Sequence, residues 1–209
     1  MGLADPVIFV VDDDADIRSS LSRALGKRGF EVVCFASALA FAEAYDPEQA
    51  GCILLDQGMP GMTGLELQAH LARKGYTIPI IFITGHGGVP ESVQAIKAGA
   101  IDFLEKPFSP DVLVHSIRAA LDADAKGRAD HHRQAQARLR LDTLTPRERE
   151  IADFIFANPS TTSSKEIARA LDISPRTVDH HRARILEKMV LKSIAELITV
   201  MSAAQAVRS

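Results

Sequence analysis

The most constraining feature of this chain is where its acidic residues fall relative to its apolar runs. Five short runs, Val7–Val11, Glu31–Phe35, Cys52–Leu55, Ile80–Ile83 and Ile101–Leu104, alternate with helical patterning. The helices are expected near Ala15–Arg28, Ala38–Ala44, Gly64–Lys74, Glu91–Ala98 and Pro110–Ala123. Strands that alternate with helices build a parallel sheet covered on both faces. Right-handed crossovers close it as a doubly wound α/β sandwich. Asp12, Asp13 and Asp14 follow the first run, Asp56 the third, Thr84 the fourth, and Lys106-Pro107 the fifth. In a parallel sheet these positions share the carboxyl edge, where open α/β folds bind ligands.

Clustered carboxylates repel one another unless a cation neutralises them. A hard divalent ion such as Mg²⁺ takes oxygen ligands and bridges carboxylate to phosphate. Aspartate is also a nucleophile toward phosphoryl groups. An aspartyl phosphate at Asp56 would call for Mg²⁺, the Lys106 ammonium and a hydroxyl donor as counterparts. The plainer reading is a set of helix N-caps and solvated loop charges, a role that suits Asp14 or Asp16.

Residues 125–142 are polar and basic, with almost no large apolar side chain before Leu139. They read as a helical extension or a loose linker, and in either case as a domain boundary. The expected division is 1–124, a linker at 125–142, and a smaller all-α domain at 143–209. Thr145-Pro-Arg-Glu148 combines an N-cap, a proline at the first helical position and a capping-box glutamate. That helix should run to about Ala157. Ser163 opens a second reaching Leu171, Ser174-Pro175 a third reaching about Met189, and Ser193 a fourth. The three-residue connection Asp172–Ser174 is of helix-turn-helix length.

The net charge of −3 conceals an asymmetry. Residues 1–124 carry −8, residues 125–142 carry +3 and residues 143–209 carry +2, which places any nucleic-acid contact at the rear. His131-His132 and His180-His181 lack the spacing and cysteine partners of a zinc site. Cys34 and Cys52 both lie in apolar runs and are expected to be reduced, buried thiols. No apolar run approaches the length of a membrane span, and no secretion signal is read at the start, so a cytoplasmic location is expected.

The segments VVDDDADIR, LLDQGMPGMTG, FITGHG and AGAIDFLEKPF resemble the receiver domains of two-component response regulators, over about residues 6–124. The resemblance implies a flavodoxin-like fold in which Asp56 is phosphorylated from a sensor histidine kinase. It implies that Asp12, Asp13, Asp56 and the carbonyl of Gly58 hold Mg²⁺. Thr84 and Lys106 would bind the phosphoryl group, Phe103 would be the aromatic that moves with Thr84, and the Lys106-Pro107 peptide would be cis. Gln57-Gly58 departs from the bulkier pair common in this subfamily.

The segments LDTLTPREREIADFIF, SKEIARALDISPRTVDHHRARILEKM and SIAELITVM resemble the LuxR/FixJ-type output domain, over about residues 141–203. This implies that the third helix, Ser174–Met189, enters the major groove of DNA. Val178, Ile185, Leu186 and Met189 recur at helical spacing and should face the core. The opposite face carries Arg176, Thr177, Asp179, His180, Ala183 and Arg184. By family position Asp179, His180 and Ala183 are base-edge candidates, while Lys165, Arg176, Arg184 and Lys188 suit phosphate contacts. The link from Asn158 to Lys165 is about three residues longer than the family's compact Gly-x-Ser-Asn-Lys pattern.

The expected function is a phosphorylation-activated transcription factor: phosphoryl capture at Asp56, dimerisation, and binding to double-stranded promoter DNA. Its partners would be the kinase, a second copy and DNA, with RNA polymerase a further candidate and no membrane. No enzymatic turnover is expected beyond the receiver's own Mg²⁺-dependent phosphorylation and dephosphorylation. One rival is a Mg²⁺-dependent phosphatase using the same aspartate, but Gly58 stands where such enzymes carry a general acid. Another is an interaction protein that answers its kinase without binding DNA.

Overall fold

The computed structural model describes residues 5–85, 89–161 and 163–205. His86 of the FITGHG segment, Thr162 of the longer link and the first four residues of the chain start lie outside them. The described chain divides into two compact units, Met1–Arg128 and Ala129–Ser209.

In the first unit β1 (Val7–Val11), β2 (Glu31–Phe35), β3 (Gly51–Asp56), β4 (Ile80–Thr84) and β5 (Asp102–Glu105) form one sheet, ordered β2-β1-β3-β4-β5. All neighbouring pairs are parallel. Five helices intervene: α1 (Ala15–Gly26), α2 (Ala38–Ala44), α3 (Gly64–Arg73), α4 (Val89–Lys97) and α5 (Pro110–Leu141). Side chains alternate across a strand, so each central strand feeds two cores. Phe9, Ile53, Leu55 and Phe82 pack with Phe41, Leu67, Leu71 and Ala95 on one face. Ile8, Val10, Leu54, Ile81 and Ile83 pack with Leu25, Leu113 and Ile117 on the other. Every residue of β1 and β4 is buried, as expected where helices cover both faces.

The edge strand β2 differs. Val33 and Cys34 on it are exposed, which corrects the expectation of two buried thiols: only Cys52 is buried. With one neighbour instead of two, an edge strand has less cover. At Cys52 burial, with a smaller push from Asp124, raises the thiol to about 12.

α5 continues through residues 125–141 as helix, so the stretch whose form the composition left open is not a loose linker. At the amino edge of the sheet Asp124 is buried and its Oδ2 accepts from the Gly51 amide at 3.0 Å. Arg128 donates through Nε to Asp124, through Nη1 to the carbonyls of Pro47 and Glu48, and through Nη2 to that of Gln49. Gly51 itself admits no side chain, because a Cβ there would lie 2.0 Å from the carbonyl oxygen of Val7.

The second unit contains α6 (Pro146–Ala157), α7 (Ser164–Ala170), α8 (Pro175–Met189) and α9 (Ile194–Gln205). Their core includes Ile151, Ile155, Ile167, Val178, Ile185, Met189, Leu197 and Met201, with Leu186 half-buried. The expected caps are present: Thr145 and Glu148 form a reciprocal capping box on α6, and Ser163 and Ser174 cap α7 and α8. The last turn of α5 joins this core through Leu141. Arg138 and Arg140 there donate to the carbonyls of Ala204 and Met189, at the ends of α9 and α8.

Candidate functional site

Asp12 leaves β1 and Asp56 ends β3, two adjacent strands whose parallel register brings their carboxyl ends level. Lys106 follows β5, and its Nζ lies 3.1 Å from Asp12 Oδ2 and 3.2 Å from Asp56 Oδ1. The second oxygen of each carboxylate accepts from backbone: Asp12 Oδ1 from the Asp14 amide at 2.9 Å, Asp56 Oδ2 from the Gly58 amide at 2.7 Å. Both carboxylates are therefore fixed in direction, one oxygen toward the ammonium and one toward the chain. Burial lowers the affinity of Lys106 for its proton, but hydrogen bonds and charge from Asp12 and Asp56 outweigh this and hold it charged above its ordinary range.

Arg18 Nη1 donates to the Asp12 carbonyl at 2.7 Å. Gly64 starts α3 so close to β3 that a Cβ would lie 2.6 Å from the Asp56 carbonyl oxygen and 2.8 Å from the Phe82 ring. Asp14 caps α1, accepting from the amides of Asp16 and Ile17, and so takes the plain structural role open to it. Gln57, next to Asp56, has a buried amide oxygen with no described partner.

Thr84 is buried at the end of β4, and its carbonyl accepts from the Lys106 amide at 2.7 Å. Phe103 on β5 is half-buried, its ring centroid 6.0 Å from that of Phe82. The Lys106-Pro107 peptide is cis, as the resemblance implied. Asp13 is exposed. Among the described residues no three His, Cys, Asp or Glu side chains converge as a metal-holding group. The ligand groups that do gather, the carboxylates of Asp12 and Asp56, are oxygen and fit a hard divalent cation rather than zinc.

In the second unit Arg176, Asp179, His180, Ala183 and Arg184 are exposed on one face of α8, and Lys165 is exposed at the start of α7. Thr177 is half-buried and spends its hydroxyl on the cap, 2.7 Å from Ser174 Oγ. Arg184 pairs with Glu187. Lys188 differs from its expected outward role. Its Nζ lies 2.6 Å from Oε2 of the buried Glu148 and 3.1 Å from the Thr143 carbonyl. The ammonium bolts α8 to the start of α6 instead of extending to a phosphate, because a buried carboxylate needs a partner. Burial pushes the Glu148 carboxyl up, but Lys188 and the Thr145 amide and hydroxyl outweigh it and hold it at about 2, against an ordinary 4.5.

Two residues escaped the sequence reading. Ser164 donates its hydroxyl to Asp179 Oδ1, and Arg182 Nη1 donates to Ser164 Oγ at 3.0 Å. Helical spacing places Arg182 half inward, and nothing local shows that Ser164 reaches across to α8.

Known proteins bear the same two units. A family model described as response regulator receiver domain matches residues 8–118, and one described as bacterial regulatory proteins, luxR family, matches residues 142–201. The response regulator protein TodT of Pseudomonas putida is 40% identical over 194 residues, spanning 93% of this chain and 84% of the relative. The transcriptional regulatory protein FixJ of Bradyrhizobium diazoefficiens is 41% identical over 192 residues, spanning 91% and 92%. Among solved structures, the response regulator StyR superposes with a TM-score of 0.80 at 41% identity, over 95% of this chain and 99% of that one. Full-length FixJ from B. japonicum gives a TM-score of 0.57 at 38% identity, over 95% and 97%. The chain thus belongs to the two-component response regulators with a LuxR-type output domain, and is a phosphorylation-activated, DNA-binding regulator of transcription.

Proposed function

We propose that Asp56 is the residue that accepts the phosphoryl group from the histidine kinase. An Asp56 carboxylate oxygen forms the new P–O bond while the P–N bond to the kinase histidine breaks and the imidazole leaves. The observation that carries this reading is the Lys106 ammonium, which already bridges Asp56 and Asp12 and is placed to pair with the added dianion. Asp12, Asp13, Asp56 and the Gly58 carbonyl would hold Mg²⁺, which supplies further positive charge toward the phosphoryl oxygens.

Phosphorylation then draws the Thr84 hydroxyl toward the new oxygens, and Phe103 turns in the space beside it. The readout is a population shift, not a new fold. Val93 and Ile96 on α4, Ile101 before β5 and Val112 on α5 are each more than a third exposed. They form the face on which two phosphorylated copies pair. Two copies present two α8 helices to a two-fold site, with half-sites about one helical turn apart. There Arg176, Arg184 and Lys165 meet phosphates, while Asp179, His180 and Ala183 meet base edges. The protein works in the cytoplasm, turns over no other substrate, and passes its signal to RNA polymerase from promoter DNA.

The test is labelling by a small acyl phosphate such as acetyl phosphate with Mg²⁺. Wild type takes up one phosphoryl group, and Asp56→Asn takes up none. Equal labelling of the variant would put the acceptor elsewhere.

A further inference from the structure

We propose that Ser164 is a positioning residue for sequence reading: it holds the Asp179 carboxylate so that its free oxygen reads a cytosine amine in the major groove. This rests on the reading of α8 as the helix that faces DNA.

The hydrogen-bond chain has a forced direction. Arginine can only donate, so the Ser164 Oγ accepts from Arg182 Nη1. A carboxylate can only accept, so the serine proton goes to Asp179 Oδ1. Asp179 and Arg182 stand three residues apart on α8 and are neighbours on its surface, whereas Ser164 is the first residue of α7. The hydroxyl is available because Ser163 does the capping: its Oγ accepts from the Glu166 amide at 3.3 Å. No donor among the described residues engages Asp179 Oδ2, and the side chain is exposed.

An exposed carboxylate on a DNA-facing helix adds nothing to general affinity, because the phosphates repel it. It is favourable only where it meets a donor. In the major groove donors are offered by cytosine N4 and adenine N6, and adenine sets its N7 acceptor beside that amine. Cytosine is the base that meets a carboxylate without a facing acceptor. Anchoring Oδ1 aims Oδ2 before binding and lowers the ordering cost of the contact. Guanine and thymine at the same place, presenting acceptors on that edge, are repelled.

The experiment selects from a pool of duplexes with a randomised core, using the full-length protein treated with an acyl phosphate. The bound sequences are compared for wild type, Asp179→Ala, Ser164→Ala and Ser164→Thr. Wild type should enrich cytosine at one position of each half-site. Asp179→Ala should lose that preference, on the order of tenfold, while binding bulk DNA more tightly. Ser164→Ala should weaken the preference a few-fold at that position alone, and Ser164→Thr, which keeps the hydroxyl, should restore it. A merely structural serine would lower affinity for all sequences alike and leave the preference intact, which would overturn the proposal. So would an unchanged preference in Asp179→Ala. A wild type that enriches no sequence would instead sink the DNA-facing reading of α8, and this inference with it.

Discussion

Lys188 illustrates how a single buried partner decides what a charged residue does. Spacing along α8 groups it with Arg176 and Arg184, and sequence alone sends all three toward phosphates. The capping box that begins at Thr145 was legible because its parts lie three residues apart. The need of its buried glutamate for a cation 40 residues later was not. Removing one partner of a buried ion pair leaves the other uncompensated, so Lys188→Met should destabilise the helical unit by about 3 kcal/mol. Urea denaturation at neutral pH checks this. The same pair sets a pH dependence. The folded Glu148 carboxyl, held at about 2, lies below its ordinary 4.5, so its contribution is complete above about 4.5 and is lost as pH falls toward 2. Glu148→Gln should flatten that acid limb, and a wild-type-like acid limb in the variant would disprove the assignment. Asp12, Asp56 and Lys106, by contrast, were readable one by one, because each sits next to the end of an apolar run.

Helix α8 shows what an element owes to its two ends. Its start was plain from Ser174-Pro175, and the structure has the serine accepting from the Thr177 amide at 3.1 Å. Its finish was less plain, since no glycine marks it. Val190 takes the left-handed C-cap conformation at φ 56° and is 70% exposed. A β-branched residue there is strained and loses no packing when trimmed. Val190→Gly should therefore stabilise the helical unit by about 1 kcal/mol, read as a shift of its urea midpoint. The strands were legible to within a residue at most ends, because short apolar, β-branched-rich runs bounded by turn and helix signals admit little else. The continuation of α5 past residue 124 was not, since a polar stretch suits a helix or a linker alike. What holds it helical toward its end is tertiary: Leu141 in the core, and Arg138 and Arg140 on carbonyls of α9 and α8.

Across the whole molecule, the acidic first part and the basic remainder divide the work. The doubly wound architecture was legible because alternating elements with strand-end carboxylates leave few closures open. The spatial order β2-β1-β3-β4-β5 and the exposure of Cys34 came only from the fold, since no local signal says which strand is an edge. The face of Val93, Ile96, Ile101 and Val112 carries the prediction at this scale. Ile96→Glu should leave labelling of Asp56 unchanged and prevent phosphorylation-dependent pairing, since like charges would meet across a two-fold axis. Sedimentation velocity of the labelled protein decides it, and a variant that still sediments as a dimer would move the pairing face elsewhere. Half-site occupancy on DNA should fall with it, whereas the salt sensitivity of each α8 should persist.

The Arg128 guanidinium has a practical consequence. A polypeptide severed just after Asp124 would keep that carboxylate sealed against Gly51 but strip away its only described cation. It would also leave the carbonyls of residues 47 to 49 without the donors that gather them. An autonomous phosphoacceptor fragment therefore has to run at least four residues beyond the point where the apolar pattern fades, or its floor will loosen before its chemistry can be measured.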